Sequence, residues 1–246
     1  MRMKAIILAA GYATRLYPLT KDFPKPLLEV GGRAIMDHIM EKIERVSLID
    51  EIFIVTNARF YSQFVDWASQ SDYLKPIKVI DDWTTSNENR LGAIADLQFV
   101  LEQAKLGDEL LVMAGDNLFD FELADMVRFY QRASTDTIAA HEIEDIDFLR
   151  RTGVIQIDAK GRVIDFEEKP SQPKSKLACP PFYIYQQSTL PLIKQYLAEG
   201  NNPDAPGNFV PWLIRHKEVH AYKFEGKRFD IGTLESYQEA RELFAR

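Results

Sequence analysis

Cysteine is nearly missing from this chain: Cys179 is its single thiol, which excludes an internal disulfide and any cysteine-rich zinc site. The four histidines are scattered and show no cluster of zinc-ligand spacing. A metal would therefore fall to carboxylates, which favours magnesium or a similar hard ion. A basic excess is also lacking. Against 30 Lys and Arg stand 37 Asp and Glu, a formal net charge of −7, so a general nucleic-acid binder is disfavoured while a local basic cleft for phosphates is not. No long hydrophobic run is present. The stretch Ala5 to Ala10 is shorter than a signal-peptide core and Arg15 follows soon after it, so a cytoplasmic protein with no membrane partner is expected.

What the chain does have is an ordinary globular share of apolar residues, 46% of 246, enough to bury a substantial core in one large domain or two small ones. In its first half, apolar runs suited to buried strands alternate with helical patterns. Strands are expected at Lys4 to Ala10, Ile52 to Thr56, Ile77 to Ile80 and Glu109 to Ala114. Helices are expected at Ile35 to Val46, Tyr61 to Ser69 and Leu91 to Gln103. This order implies an α/β fold, Rossmann-like, with a mixed, mostly parallel sheet flanked by helices and a ligand at the carboxyl ends of the strands. Beyond about Asp136 the strands are shorter: Thr137 to His141, Gly153 to Ile157, Val163 to Phe166 and Phe182 to Tyr185, with a hairpin turn at Asp158 to Gly161. Gly200 to Gly207 reads as a surface loop and Leu234 to Phe244 as a closing helix. With no repeat and no linker, residues 1–246 read as a single domain, a nucleotide-binding half to about residue 135 and a smaller strand-rich half from about residue 136.

The residues that carry chemistry begin where the first strand ends. Gly11 after a buried strand brings bare amides close to an anion. Arg15 adds a permanently charged fork suited to phosphate, and Lys25, stiffened between Pro24 and Pro26, adds a point charge. Asp116, in Gly115-Asp116-Asn117 at the end of another strand, is placed either as a magnesium ligand or as part of a turn. Asp230, in Phe229-Asp230-Ile231-Gly232-Thr233, is open to two readings, a second metal ligand or a cap of the final helix with Thr233. Glu167-Glu168-Lys169-Pro170 taken alone is a solvated strand end.

Together these residues resemble the family of hexose-1-phosphate nucleotidylyltransferases. The family pattern Leu-Ala-Ala-Gly-x-Gly-Thr-Arg-Leu-x-Pro-Leu-Thr, followed by Pro-Lys-Pro-Leu, stands here as Leu8 to Thr20 and Pro24 to Leu27. Further landmarks follow in order at Leu91-Gly92-Ala93, Gly115-Asp116-Asn117, Gly153-Val154, Glu168-Lys169-Pro170 and Asp230-Ile231-Gly232-Thr233. The resemblance implies transfer of a nucleotidyl group from a nucleoside triphosphate to a sugar 1-phosphate, releasing pyrophosphate, with Mg2+ as cofactor. It implies catalytic roles for Arg15, Lys25, Asp116 and Lys169, and magnesium held by Asp116 and Asp230. It implies nucleotide contacts from Leu8, Ala9, Ala10, Gly11, Tyr12, Ala13, Thr14, Asn87 and Gly92, and sugar contacts from Asn117, Gly153, Glu168 and Tyr183. The run Gly115 to Phe119 is reminiscent of glucose-1-phosphate thymidylyltransferases, which favours dTTP or UTP with glucose 1-phosphate; GTP or CTP with another sugar or alcohol phosphate is the alternative. A homo-oligomer is compatible with the resemblance.

Where the family has a second loop glycine, this chain has Ala13. A small side chain, rather than a positive φ, is the expected requirement there. Ala93 replaces a frequent threonine, Phe229 a frequent tryptophan, and Cys179-Pro180-Pro181 a stretch that usually carries glycine. Two rival phosphate motifs fail: Ala13 and Leu16 break the dinucleotide fingerprint, and no Gly-Lys-Ser/Thr follows Gly11. A catalytically silent, nucleotide-sugar-binding regulatory subunit is the alternative from another class, but it has no chemical need for both metal carboxylates.

Overall fold

A computed structural model describes residues 2–244. Its centre is strand β1 (Met3–Leu8), an apolar run covered on both faces. Successive side chains point to opposite faces of the sheet. Ala5 and Ile7 therefore join one core cluster, with Ile35, Ile39 and Ile43 of helix α1 (Ile35–Glu44). Ile6 joins the other, with Ile94 and Leu97 of helix α3 (Ala93–Gln103). Between these helices lie β2 (Ile49–Thr56), α2 (Tyr61–Ser69) and β3 (Ile77–Asp81). After α3 comes β4 (Glu109–Ala114), and β1 is parallel to both β2 and β4.

The order β3-β2-β1-β4 reverses direction at β1. Helix α1 carries the chain to one side of β1 and α3 returns it to the other. The carboxyl ends of β1 and β4, Leu8 and Ala114, thus border the crevice where open α/β sheets bind ligands.

The second half of the chain extends the same sheet. Strands β6 (Asp136–Glu142), β7 (Gly153–Ile157), β8 (Val163–Glu168), β9 (Leu177–Cys179) and β10 (Phe182–Tyr185) complete the order β8-β7-β9-β6-β10-β4. A last member, β11 (Val219–Lys223), runs parallel to β6. The mixed, mostly parallel sheet flanked by helices is the architecture expected. In its antiparallel wing the chain crosses from one side of β6 to the other at Pro180-Pro181. These residues have no N–H to contribute to a ladder, and a tight turn with Phe182 N donating to Pro180 O (2.7 Å) lets β9 pair with β7 while β10 enters between β4 and β6.

Several elements differ from expectation. Helices α4 (Leu123–Ala133) and α5 (Leu190–Ala198) and strand β11 fall where none is expected. The segment Gly200 to Gly207 is not merely a surface loop. It ends in a 3-10 turn at Pro206–Asn208, buries Gly207, and accepts hydrogen bonds from Ala93 N and Ile94 N. A two-stranded ribbon outside the main sheet pairs β5 (Asn117–Phe119) antiparallel with β12 (Arg228–Asp230), just ahead of helix α6 (Leu234–Leu243). Among the described residues, no helix is long and apolar enough to cross a membrane.

Candidate active site at the sheet's switch point

The loops leaving β1 and β4 touch: Gly115 N donates to Leu8 O at 3.0 Å. A Cβ at position 115 would lie 3.2 Å from Ile7 Cγ2, so only a very small residue fits this crossing. In the loop Ala9 to Arg15, carbonyls are taken up by the end of β2 and the residue after it. Thr56 Oγ1 donates to Ala9 O (3.4 Å) and Asn57 Nδ2 to Ala10 O (2.9 Å). The amides of residues 11–14 have no acceptor among the described residues. Gly11 is exposed, with nothing within 4 Å of where its Cβ would be. Open amides beside vacant space form a concavity for an anion.

Ala13 corrects one expectation. It lies in the left-handed region, φ 47° and ψ 42°, so positive φ is required here and a Cβ is tolerated at a cost of about 1–2 kcal/mol. Its carbonyl is fixed from two sides, by Leu16 N (2.9 Å) and Thr20 Oγ1 (2.8 Å). Tyr12 turns inward, its hydroxyl 3.1 Å from Thr84 Oγ1, while Thr14 and Arg15 are exposed.

Lys25 opens a short 3-10 turn behind Pro24. Its Nζ donates to Asp116 Oδ2 at 2.5 Å and to Ile231 O at 2.8 Å, uniting three distant segments. The other oxygen of Asp116, Oδ1, accepts from Asn117 Nδ2 at 2.7 Å. Burial pushes the Asp116 carboxyl up, but the Lys25 ammonium, the Asn117 amide and the Arg228 charge outweigh it and hold the group below its ordinary range. Asp230 stands opposite Asn117 in the ribbon, so both carboxylates arrive at one edge. Arg15 reaches the same place: a Cβ on Gly232 would lie 3.9 Å from both Arg15 Nη2 and Asp230 Oδ1.

A family model described as nucleotidyl transferase matches residues 4–246. The chain belongs to the nucleotidyl transferase family. It is 27% identical over 232 residues to the bifunctional protein GlmU of Methanocaldococcus jannaschii, covering 94% of this chain and 51% of that one. It is 27% identical over 241 residues to UTP–glucose-1-phosphate uridylyltransferase AglF of Haloferax volcanii, covering 98% and 96%. Among solved structures, one described as a glucose-1-phosphate thymidylyltransferase of Bacillus anthracis, in complex with a sucrose, has TM-score 0.79 and 26% identity, covering 99% of this chain and 95% of that one. This nucleotidyl transferase chain spans about half the length of the first of these relatives.

On the far wall of the candidate site of this nucleotidyl transferase family member, Gly153 faces Glu168 across the β7–β8 pair. A Cβ at 153 would meet Phe166 Cζ at 2.7 Å. Glu168 packs on Gly207, and burial pushes its carboxyl up against the pull of Lys169 and Arg228. Lys169 has φ 50° and an exposed ammonium whose nearest carboxylate oxygen is Glu168 Oε1, 3.8 Å away. Tyr183 lies deeper, only 2% exposed and stacked on Tyr185; with Leu8, Leu97 and Phe209 it lines a cavity of about 10 Å³. Asn87 begins a 3-10 turn, Asn87–Asn89, with its side-chain amide uncommitted among the described residues. Gly92 has φ 92°, and a Cβ there would lie 2.8 Å from Pro203 O, so backbone contact accounts for glycine at this position.

Sequence reasoning missed several members of this neighbourhood. Arg228 is buried against Asn117, and its position two residues before Asp230, on the same strand face, was a readable signal. Asp96 is a carboxylate on the apolar face of α3, among Ile94, Leu97 and Val100. Its carboxyl neighbours that of buried Asp82, whose Oδ1 accepts from Thr84 N and Thr84 Oγ1, both at 2.7 Å. Asn57 and Gly207 carried no local signal.

As for a metal, no group of three or more His, Cys, Asp or Glu side chains is arranged to hold one among the described residues. Asp116, in the turn just before β5, and Asp230, on β12, are hard oxygen donors, and Asp116 already accepts a cationic group. Two carboxylates with the remaining positions left to water and phosphate suit magnesium. The residues present fit the ion.

Proposed function

We propose that this chain transfers a nucleotidyl group from a nucleoside triphosphate to a sugar 1-phosphate, with dTTP or UTP and glucose 1-phosphate as its pair. The observation that carries the reading is the meeting of Lys25, Asp116, Asp230 and Arg15 beside an open-amide loop at the sheet's switch point. A phosphate oxygen of the sugar 1-phosphate bonds to the α-phosphorus, the bond from that phosphorus to its β-bridging oxygen breaks, and pyrophosphate leaves. Such chemistry asks for positioning and charge neutralisation, and the attacking oxygen needs no strong base.

Gly11 and the neighbouring amides, with Arg15, cradle the triphosphate. Lys25 exchanges Asp116 for the α-phosphate as the nucleotide enters. Asp116 and Asp230 would hold magnesium, which when bound offsets charge on the reacting phosphates. Asn87 and Gly92 border the base, while Lys169 takes the sugar phosphate and Glu168 and the Gly153 backbone meet hydroxyls. In this reading residues 1–135 supply the nucleotide side and 136–246 the sugar side. The names of the relatives support the choice of pair: AglF is named for UTP and glucose 1-phosphate, the Bacillus anthracis protein for thymidylyl transfer.

The test is pyrophosphate release with magnesium across the common nucleoside triphosphates and glucose-, mannose- and galactose-1-phosphate. One strong pair, lost in Asp116→Asn, supports the reaction and names its substrates. A strong signal with GTP or CTP would replace the pair, and silence with nucleotide-sugar binding retained would replace the reaction by a regulatory role.

A further inference from the structure

The guanidinium of Arg228 is nearly enclosed, 3% exposed, and all three of its nitrogens are committed. Nε donates to Asn117 Oδ1 at 2.5 Å, Nη2 pairs with Asp230 Oδ2 at 3.2 Å, and Nη1 reaches Thr152 Oγ1 at 3.5 Å. Phe148 backs the group, its ring centroid 5.7 Å from the guanidinium carbon.

These contacts order the Asn117 amide. Its oxygen must face the arginine, which only donates, and its Nδ2 must therefore face Asp116, which it does at 2.7 Å. Arg228 thus touches both acidic groups, Asp230 directly and Asp116 through Asn117. Each carboxylate has one oxygen tied back by this network, Asp230 Oδ2 and Asp116 Oδ1. The other oxygens are those on the site side: Asp116 Oδ2 beside Lys25, and Asp230 Oδ1 beside Gly232.

We infer that Arg228 is a positioning residue that presents one oxygen of each carboxylate to the divalent ion, with Asn117 as its relay to Asp116. The inference rests on the proposed metal role of the two aspartates and adds the part that sets their geometry. It also moves Asn117 from a sugar contact to a link in this chain, because both ends of its amide are engaged. Lysine cannot replace arginine here, since one ammonium cannot span the Nε and Nη2 contacts in a fixed plane.

The experiment compares wild type, Arg228→Lys, Arg228→Met and Asp116→Asn by direct Mn2+ binding, read from the loss of free-ion paramagnetic resonance, and by the Mg2+ activation constant. Circular dichroism and urea unfolding establish the folded fraction of each. Partners behind metal ligands typically set affinity by about 10–100-fold, so both Arg228 variants should bind Mn2+ at least about tenfold more weakly while KM for the nucleotide at saturating metal changes little. If folded Arg228→Lys or Arg228→Met binds Mn2+ as wild type does while Asp116→Asn does not, Arg228 is structural only and the inference falls. If Asp116→Asn also binds normally, the metal site itself is misplaced and the proposed roles of the aspartates fall with it. Should Arg228→Met not fold, the Arg228→Lys comparison decides.

Discussion

Asp96→Asn should flatten the pH dependence of stability. Asp96 is 6% exposed and Asp82 4%, and two neighbouring buried carboxyls can bond to each other only while one of them keeps its proton. Asp82 Oδ2 and Asp96 Oδ1 are buried with no hydrogen-bond partner among the described residues. Burial first, then the neighbouring Asp82 carboxylate, pushes the Asp96 carboxyl from 3.8 up to about 8. The sign follows from proton counting. Between those two values the folded chain keeps a proton that the unfolded chain has released, so the contribution of this group to stability is fully present below 3.8 and is lost as pH rises through the window to about 8. The slope from this pair is at most about 1.4 kcal/mol per pH unit. In Asp96→Asn an amide replaces the proton as donor to Asp82 and does not titrate. Urea unfolding of both proteins at intervals across the window should show the variant gaining on wild type at each step, by a large fraction of that slope. Parallel stability curves, or a variant equally weakened at every pH, would refute a proton shared between these carboxyls. Because Asp82 also holds Thr84, which meets Tyr12 of the loop proposed to bind phosphate, KM for the nucleotide should rise above about pH 8 in wild type alone.

Two further substitutions test the walls of the site. Gly207→Ala places a Cβ 2.8 Å from Phe166 Cζ and onto Glu168 Oε2; KM for the sugar 1-phosphate should rise with that for the nucleotide little changed, and equal changes in both would show that Glu168 does not serve the sugar. Ala13→Gly relieves about 1–2 kcal/mol of left-handed strain and adds about 0.4–1 kcal/mol of unfolded-state entropy, so thermal melting should show a net gain of up to about 1.6 kcal/mol. A clear loss of stability would mean that Ala13 is not strained.

The first half of the fold was legible because its strands are continuous apolar runs. Ile6 to Leu8, Ile52 to Val55 and Leu110 to Met113 are pressed between helices on both faces and need no partner to be recognised. The site was legible where it follows those strands, at Gly11 and Asp116. What stayed hidden depends on contacts far apart in the chain. Strand β11 is recognisable only by its pairing with β6, some eighty residues earlier. Pro203 and Gly207 read as loop residues because composition says nothing of the α3 amides and the Glu168 side chain that meet them. Helix α4 has no side-chain cap at Glu122, so its start carries no local mark. The left-handed Ala13 was misread because residue size and backbone angle are separate demands, and sequence displays only the first.

The short β5–β12 ribbon has a bearing on how the protein is made. It joins residues 117–119 to 228–230, and Lys25 reaches past it to the carbonyl of Ile231. The three charged groups nearest the proposed reaction come from the first, middle and last portions of the chain. A ribosome releasing the chain from its amino end would deliver Gly11, Lys25 and Asp116 long before Asp230. Until residues 228–230 emerge, the growing chain holds the Gly11 loop with no completed ribbon beside it. The proposed activity thus needs the ribbon's second strand, and a product truncated ahead of Arg228 should be inert however well its sheet is formed.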